Sequence, residues 1–370
     1  MKVTCHRPSL ATAFQIVNGV VPSRSPKEIL KNVKLQLKDG KAILIGTDQE
    51  VGIRYEIPSV ETDAAGEVLL PASHMISILR ELQEEEIQFE LTKELILIRT
   101  KHSEFRLAVV DPAEFPAVAE FEENQYFVVS AQSFREQIRR TVFATDVAST
   151  RYALGGVLMD FNLEKVTLAA TDSRRLAIAT AACRLEGVKN SEKKTPVIPS
   201  KAMSLIERSI TDDQEETQIA VHANDALVKC GSSTIYCRLL EGRFPAYADV
   251  VPKEFQVTVS LVVGPFYAAV RQAQIVTNEE SRGVEFTLSA GLLTMNSTAT
   301  DVGQSKIELP ISYDAEELTV TFDPRLIAEF LRVLPAETNL KLQLIDAESA
   351  AVLSTDDAYT YVIMPLSRDR

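Results

Sequence analysis

The chain has 370 residues, 45% of them hydrophobic and 25% charged, with a formal charge of -13 at pH 7. That length supports two or three cores rather than one. The acidic balance excludes a protein that grips phosphates over its whole surface, which needs many Lys and Arg contacts, but leaves a locally basic face open.

In chain order, an amphipathic helix is predicted first, over Pro8 to Val20, with Leu10, Phe14 and Val17 on one stripe. A Thr47-Asp48 step and a strand-like run follow, then a proline-led helix in LLPASHMISILREL, with Met75, Ile76, Leu79 and Leu82 on its apolar face. The acid run Glu84 to Glu86 reads as the solvated end of that helix. Alternating strands in IQFELTKELILIRT close the segment near Phe115-Pro116.

The same series then repeats. Ser130 to Phe143 is a helix with Phe134, Ile138 and Val142 inward, followed by Thr171-Asp172 and a second helix in VIPSKAMSLIERSI, with Met203, Ile206 and Ile210 inward. Between them Glu186 to Thr195 is the loop expected to move most. Strands in TQIAVHANDALVKC end near Phe244-Pro245. A third copy has a helix over Gly264 to Val276 (Phe266, Val270, Ala273), Thr300-Asp301, a helix in TFDPRLIAEFLRVL (Ile327, Phe330, Leu331, Leu334) and strands ending near Met364-Pro365. The period is roughly 125 residues, so the expected organisation is three like α+β domains, 1–122, 126–250 and 254–370, each with two helices and several antiparallel strands.

Function classes narrow quickly. There is no P-loop, GxGxxG, GxSxG or HExxH. Asp48, Asp172 and Asp301 resemble acids of a nuclease site, but recurrence at one position in all three copies points to turn chemistry or strand entry, because a single active site does not need three copies. Cys5, Cys183, Cys230 and Cys237 lack CxxC spacing, and His6, His74, His102 and His222 are scattered, so no metal, disulfide or other cofactor is expected. No apolar run approaches the roughly 20 residues of a membrane span; a cytoplasmic protein is expected.

Several segments resemble the bacterial DNA polymerase III beta subunit, or beta sliding clamp, family: ATDSRRLA from Ala170, EGRFPAYADVV from Glu241, NEESRGV from Asn278 and YVIMPL from Tyr361. Each is weak alone; in this order, over three repeats covering the whole chain, they are specific. The resemblance implies a DNA clamp fold in which two chains close head to tail into a ring around double-stranded DNA, without catalytic activity or cofactor. It implies partners that dock short peptides: the DNA polymerase III alpha subunit, the clamp loader, translesion and repair polymerases and mismatch-repair proteins.

By the same resemblance, the peptide pocket is formed by Leu154, Thr171, Ser173, Arg174, Arg175, Leu176, Pro245, Val250, Val362, Met364 and Pro365, with Leu366 at its rim. Most are apolar, as an anchor pocket requires, and Met364 is adaptable enough for varied partners. Arg174 and Arg175 are expected to meet the peptide's polar groups. DNA-facing residues are Arg24, Arg80, Arg135, Arg139, Tyr152, Lys201, Arg208, Arg271, Arg325 and Arg332, a sparse set suited to sequence-indifferent sliding contact. Phe105, Leu107 and Ile275 match dimer-interface positions.

The chain also departs from the family pattern. Ala153 stands for a second Tyr, Ser73-His74 for a more basic pair, Ala350 for a small hydroxyl residue, Ser367 for a basic residue and Ser281 for an apolar one. The rival readings are an enzyme and a repeat scaffold that binds proteins but never DNA; the second could carry the same peptide pocket.

Overall fold

The computed structural model describes residues 1–57, 60–62, 65–92, 95–149, 153–187 and 194–366. Six α-helices lie among them: α1 (Arg7–Val17), α2 (Ala72–Glu81), α3 (Ala131–Thr141), α4 (Ser200–Ser209), α5 (Val263–Gln274) and α6 (Pro324–Arg332). They are the six helices expected, two per repeat. Tyr152, Ser367 and the centre of the loop Glu186 to Thr195 lie outside the described residues.

Each helix buries most of the stripe its periodicity foretold; Val142, expected inward with Phe134 and Ile138, is half-buried just beyond the end of α3. On α1, Leu10, Phe14 and Val17 are buried, and on α6 Ile327, Phe330 and Leu331 are. The face of α2 is rotated slightly: Ile78 is buried with Met75 and Leu79, while Ile76 is only half-covered. Proline stands at the start of α1 and α6, where its missing N–H costs nothing. On α6, Asp323 also caps the helix, accepting a hydrogen bond from Arg325 N at 3.0 Å.

One local expectation fails. Glu84 to Glu86 do not end a helix, because α2 stops at Glu81 and the strand Glu86–Leu91 begins at Glu86, pairing antiparallel with Lys2–His6. The alternation of buried Ile87 and Phe89 with exposed neighbours outweighs the helical propensity of the glutamates.

Contacts divide the chain into two compact units, Met1–Arg135 with Asn162–Glu164 and Ala182–Leu240, and Glu136–Phe161 with Lys165–Ala181 and Glu241–Arg370. The units cut across the repeats because strands pair from one repeat to the next. In each repeat one strand follows the Thr-Asp step, the post-turn strand: Val51–Ile57, Arg175–Ala182 and Gly303–Pro310. Another ends the repeat, the closing strand: Glu104–Ala108, Ser233–Arg238 and Tyr359–Ile363.

In the first unit the closing strand of repeat two pairs antiparallel with the post-turn strand of repeat one, Ile235 opposite Ile53 and Cys237 opposite Val51. This pairing makes one 9-stranded sheet. In the second unit the closing strand of repeat three pairs in the same way with the post-turn strand of repeat two, Tyr361 opposite Ala177 and Ile363 opposite Arg175.

Two strands of these classes are left over. Glu104–Ala108 is the edge of a 5-stranded sheet, and Gly303–Pro310 is the edge of a 4-stranded sheet.

The helices sit close on these sheets. A Cβ at Gly46 would come within 2.8 Å of the Val17 side chain, so the bare glycine lets α1 approach the strand Lys41–Thr47. No helix among the described residues is long and apolar enough to cross a membrane.

Candidate peptide pocket and helix faces

The Thr-Asp step is a turn, built the same way twice. Thr47 Oγ1 donates to the Val51 carbonyl at 2.9 Å, and Asp48 Oδ1 accepts from the amides of Glu50 and Val51 at 3.0 and 2.8 Å. In repeat two, Thr171 Oγ1 donates to the Arg175 carbonyl at 2.6 Å, and Asp172 Oδ1 accepts from Arg174 N and Arg175 N at 3.0 and 3.1 Å. Side-chain acceptors thus satisfy turn amides that no strand reaches. Both turns pass through a left-handed residue, Gln49 at φ 82° and Ser173 at φ 73°.

The third copy reverses more tightly. Ala299 pairs with Gly303, and Val302 N donates to the Ala299 carbonyl at 3.2 Å. The three aspartates therefore stand at chain reversals.

The second turn opens onto a cavity of about 250 Å³ lined by Thr171, Ser173, Arg174, Arg175, Leu176, Pro245, Tyr247, Val250, Val362 and Met364. Nine of the residues expected for a peptide pocket thus surround one space within the second unit. Leu176 and Val362 form its floor, 3% and 4% exposed, whereas Val250 and Met364 stand open at 57% and 47%. The Met364 amide donates to the Arg174 carbonyl at 2.9 Å, which fixes the closing segment against the turn.

Three expected residues are not on the cavity wall. Leu154 is buried, and Pro365 and Leu366 are half-buried.

Arg174 and Arg175 differ sharply. Arg174 is exposed and meets Asp172 only at 3.7 Å, so its guanidinium can reach a ligand. Arg175 is buried; it donates to Asp172 at 3.1 Å, to the Phe143 carbonyl at 2.8 Å and to Glu329, and lies over the Phe143 ring at 5.2 Å. Burial alone would lower its pKa, but the Tyr361 phenol and the Glu329 carboxylate outweigh that and hold the charge more firmly than usual. Arg175 thus braces the pocket wall, with each of its three guanidinium nitrogens engaged inside the fold.

Tyr247 and Glu329 were not singled out from sequence. For Tyr247 a signal existed: in the matched segments EFPAVAEF and RFPAYADV it replaces Val118. Glu329 carried none, being one acid on a helix.

Of the basic set, Arg24, Arg80, Arg139, Arg208, Arg271 and Arg332 are exposed. Arg80 among these pairs with Glu81 at 3.0 Å, and the remaining members of the set are also paired with acids. Arg135 donates to Asp213 at 2.6 Å, Lys201 bonds Asp48, and both nitrogen ends of Arg325 are held by Asp323, at 3.0 and 2.8 Å. Arg271, Arg325 and Arg332 converge on a second cavity of about 530 Å³ between α5 and α6, which Ile275, Tyr267 and Glu329 also line. Ile275 is 76% exposed, and Phe105 and Leu107 are half-buried on their edge strand.

Comparisons with known proteins agree across the whole chain. Residues 1–119, 128–246 and 248–367 match the N-terminal, central and C-terminal domains of the DNA polymerase III beta subunit. The beta sliding clamp of Chlamydia muridarum is 26% identical over 367 residues, covering 99% of both chains. The solved structure of the DNA polymerase III subunit beta from Pseudomonas aeruginosa superposes with a TM-score of 0.89 at 26% identity, covering 99% of this chain and 100% of the other. The DNA polymerase sliding clamp from Bacillus subtilis, 24% identical, shares the fold with a TM-score of 0.90 over 99% of each chain.

Proposed function

Because the chain belongs to the DNA polymerase III beta subunit family, we propose that it is a sliding clamp: two copies close head to tail around duplex DNA, and partners dock through the cavity at the second turn. One observation carries this reading. Both internal junctions obey a single rule, closing strand to the preceding repeat's post-turn strand. Applied once more, the rule leaves the closing strand of repeat one and the post-turn strand of repeat three needing each other. Among the described residues neither unit holds a third junction, so in this reading a second copy supplies it, twice, by symmetry.

The modules of this ring are 1–122, 126–250 and 254–370. Phe105 and Leu107 face inward on one edge, half-buried for want of a neighbour, and Ile307 and Leu309 do the same on the other. Ile275, exposed at the end of α5, adds apolar surface to the contact. Arg24, Arg80, Arg139, Arg208, Arg271 and Arg332 then contribute weak phosphate contact, as do Arg135, Lys201 and Arg325; acids partly meet the charges of Arg80, Arg135, Lys201 and Arg325. Enclosure supplies the retention, so light contact suits sliding and the net acidic chain is no obstacle.

The cavity takes the apolar anchors of short peptides from polymerases, the clamp loader and repair proteins; Leu176, Val362 and Met364 are its apolar floor and lip, and Arg174 its exposed cation. The clamp performs no chemistry itself and works in the cytoplasm.

The deciding experiment is retention after loader-assisted assembly. The protein stays on nicked circular DNA and runs off the same DNA once it is linearised; equal loss from both sinks the enclosure reading, since only a ring makes free ends matter. For the pocket, Leu176→Ala and Met364→Ala each weaken a labelled polymerase tail peptide about tenfold, read by fluorescence anisotropy, with the dimer intact by sedimentation.

A further inference from the structure

The two internal junctions are built alike, yet only one is open. After each of the first two repeats the linker passes over the following junction, as Phe115-Pro116-Ala117-Val118 in the first unit and Phe244-Pro245-Ala246-Tyr247 in the second. Over the first junction Val118 is buried, 6% exposed, in a cluster with Phe115, Ile45 and Leu69. Gly52 makes room for it, since a Cβ there would meet both Val118 methyls at 2.9 Å.

A clasp holds that linker down. Arg54, on the same strand as Gly52, donates to the Val118 carbonyl at 3.4 Å and to Glu120 at 2.6 Å, and its guanidinium is steadied by Gln36 at 3.3 Å.

Counting from the Thr of each turn, the second junction carries Leu176 where the first has Gly52, and Ile178 where it has Arg54. Opposite the residue four before each Thr, Asp160 replaces Gln36. Leu176 removes the socket and Ile178 removes the clasp. In their place the Tyr247 hydroxyl donates to Asp160 Oδ2 at 3.3 Å, and the phenol lines the cavity. Burial and the neighbouring Asp160 push the Tyr247 pKa up to about 12, so it remains a donor at neutral pH.

We propose that Tyr247, tethered to Asp160, is the positioning residue that holds the second linker off Leu176 and keeps the cavity open to an apolar peptide. The inference rests on the reading of this cavity as the peptide pocket. Tyr247 acts by fixing Pro245 and Val250 on the cavity wall; without it the linker settles inward as Val118 does, and the chain occupies its own pocket. The first junction is thus a site closed by its own linker, and the second is its open counterpart.

The test uses the full chain and a short fluorescein-labelled peptide ending in leucine and phenylalanine, read by anisotropy. Tyr247→Val should raise Kd about tenfold, and Tyr247→Phe and Asp160→Leu about threefold each, by losing the tether alone. Asp160→Asn should restore wild-type affinity, because an amide oxygen accepts the same phenol hydrogen; a residue that merely fills space would not distinguish these variants.

Wild-type affinity in Tyr247→Val and Asp160→Leu overturns the inference. Should Tyr247→Val fail to fold, Tyr247→Phe and the two Asp160 variants decide it. A wild-type chain that ignores the peptide overturns the pocket reading and this inference together. Binding that Leu176→Ala and Met364→Ala weaken, but no Tyr247 or Asp160 variant does, overturns this inference alone.

Discussion

The strands paired on both sides at the two internal junctions and the two edge strands, each paired on one side among the described residues, play the same parts in the repeat, but they differ in burial. Ile53, Ile235, Ala177 and Tyr361 are each 0% exposed, whereas Phe105, Leu107, Ile307 and Leu309 are only half-covered. The inward alternation is present in all of them. What the edges lack is a neighbouring backbone and the side chains it brings, which shows that burial here belongs to the junction rather than to the strand.

Substitutions that place a charge on each kind of strand separate the two cases. The largest effect is expected for Ile235→Lys, which puts an unpaired ammonium inside a closed junction at a cost of about 4 kcal/mol or more; a melt of the purified protein should show the first unit unfolded at ambient temperature. Leu107→Lys should leave each chain folded, with its melting profile unchanged. It should raise the dissociation constant of the proposed dimer about 100-fold, measured by sedimentation over a dilution series. If Leu107→Lys unfolds the chain or leaves its association untouched, then the edge is not the third junction.

Smaller changes probe the linkers. Arg54→Ile gives the first junction the side chain of the second and removes the clasp on Val118 and Glu120. Losing a partly buried, charge-assisted pair should cost about 1 to 2 kcal/mol, and hydrogen exchange at residues 118–121 should quicken while the rest of the first unit keeps its protection. Protection that does not change there would show that packing of Val118 alone holds the linker.

The smallest effect concerns His222, which meets Asp225 at 2.6 Å and Glu123, on the polar stretch leading into repeat two, at 3.1 Å. The hydrogen bond to Asp225, opposed by burial and aided by Glu123, raises its pKa above the ordinary 6.5. A raised folded pKa means the protonated ring stabilises the native state: the contribution is full below 6.5 and fades as pH rises through the folded value. The ring is partly exposed, so solvent screens much of it. Thermal melts of His222→Gln should lose this slope between mildly acidic and mildly alkaline pH; an unchanged slope would assign it to other groups.

Much of this was legible in advance where one residue type meets one local need. The Thr-Asp turns were, because Thr47 and Asp48 bond atoms within four residues of themselves, and so were the helical stripes, because 3.6-residue periodicity needs no knowledge of the partner face. Glu84 to Glu86 misled because local propensity favoured a helix while Ile87 and Phe89 were answering to a sheet. The pocket residues were named through resemblance, and nine of them do enclose one cavity. Arg175 was expected at the ligand but is turned inward to Glu329, a residue more than a hundred positions away.

By itself, then, the sequence determined three like modules, their six helical faces and their reversals, since each follows from side chains interacting with nearby backbone. Which strand lies beside which, and which of two equivalent junctions stays open, was decided only in the tertiary structure. Backbone hydrogen bonds are the same for every residue, so an alternating strand announces an inner face but not its neighbour. The choice between Val118 folded in and Tyr247 held out depends on Gly52, Arg54, Leu176 and Asp160, which become neighbours of those linkers only after the chain has folded.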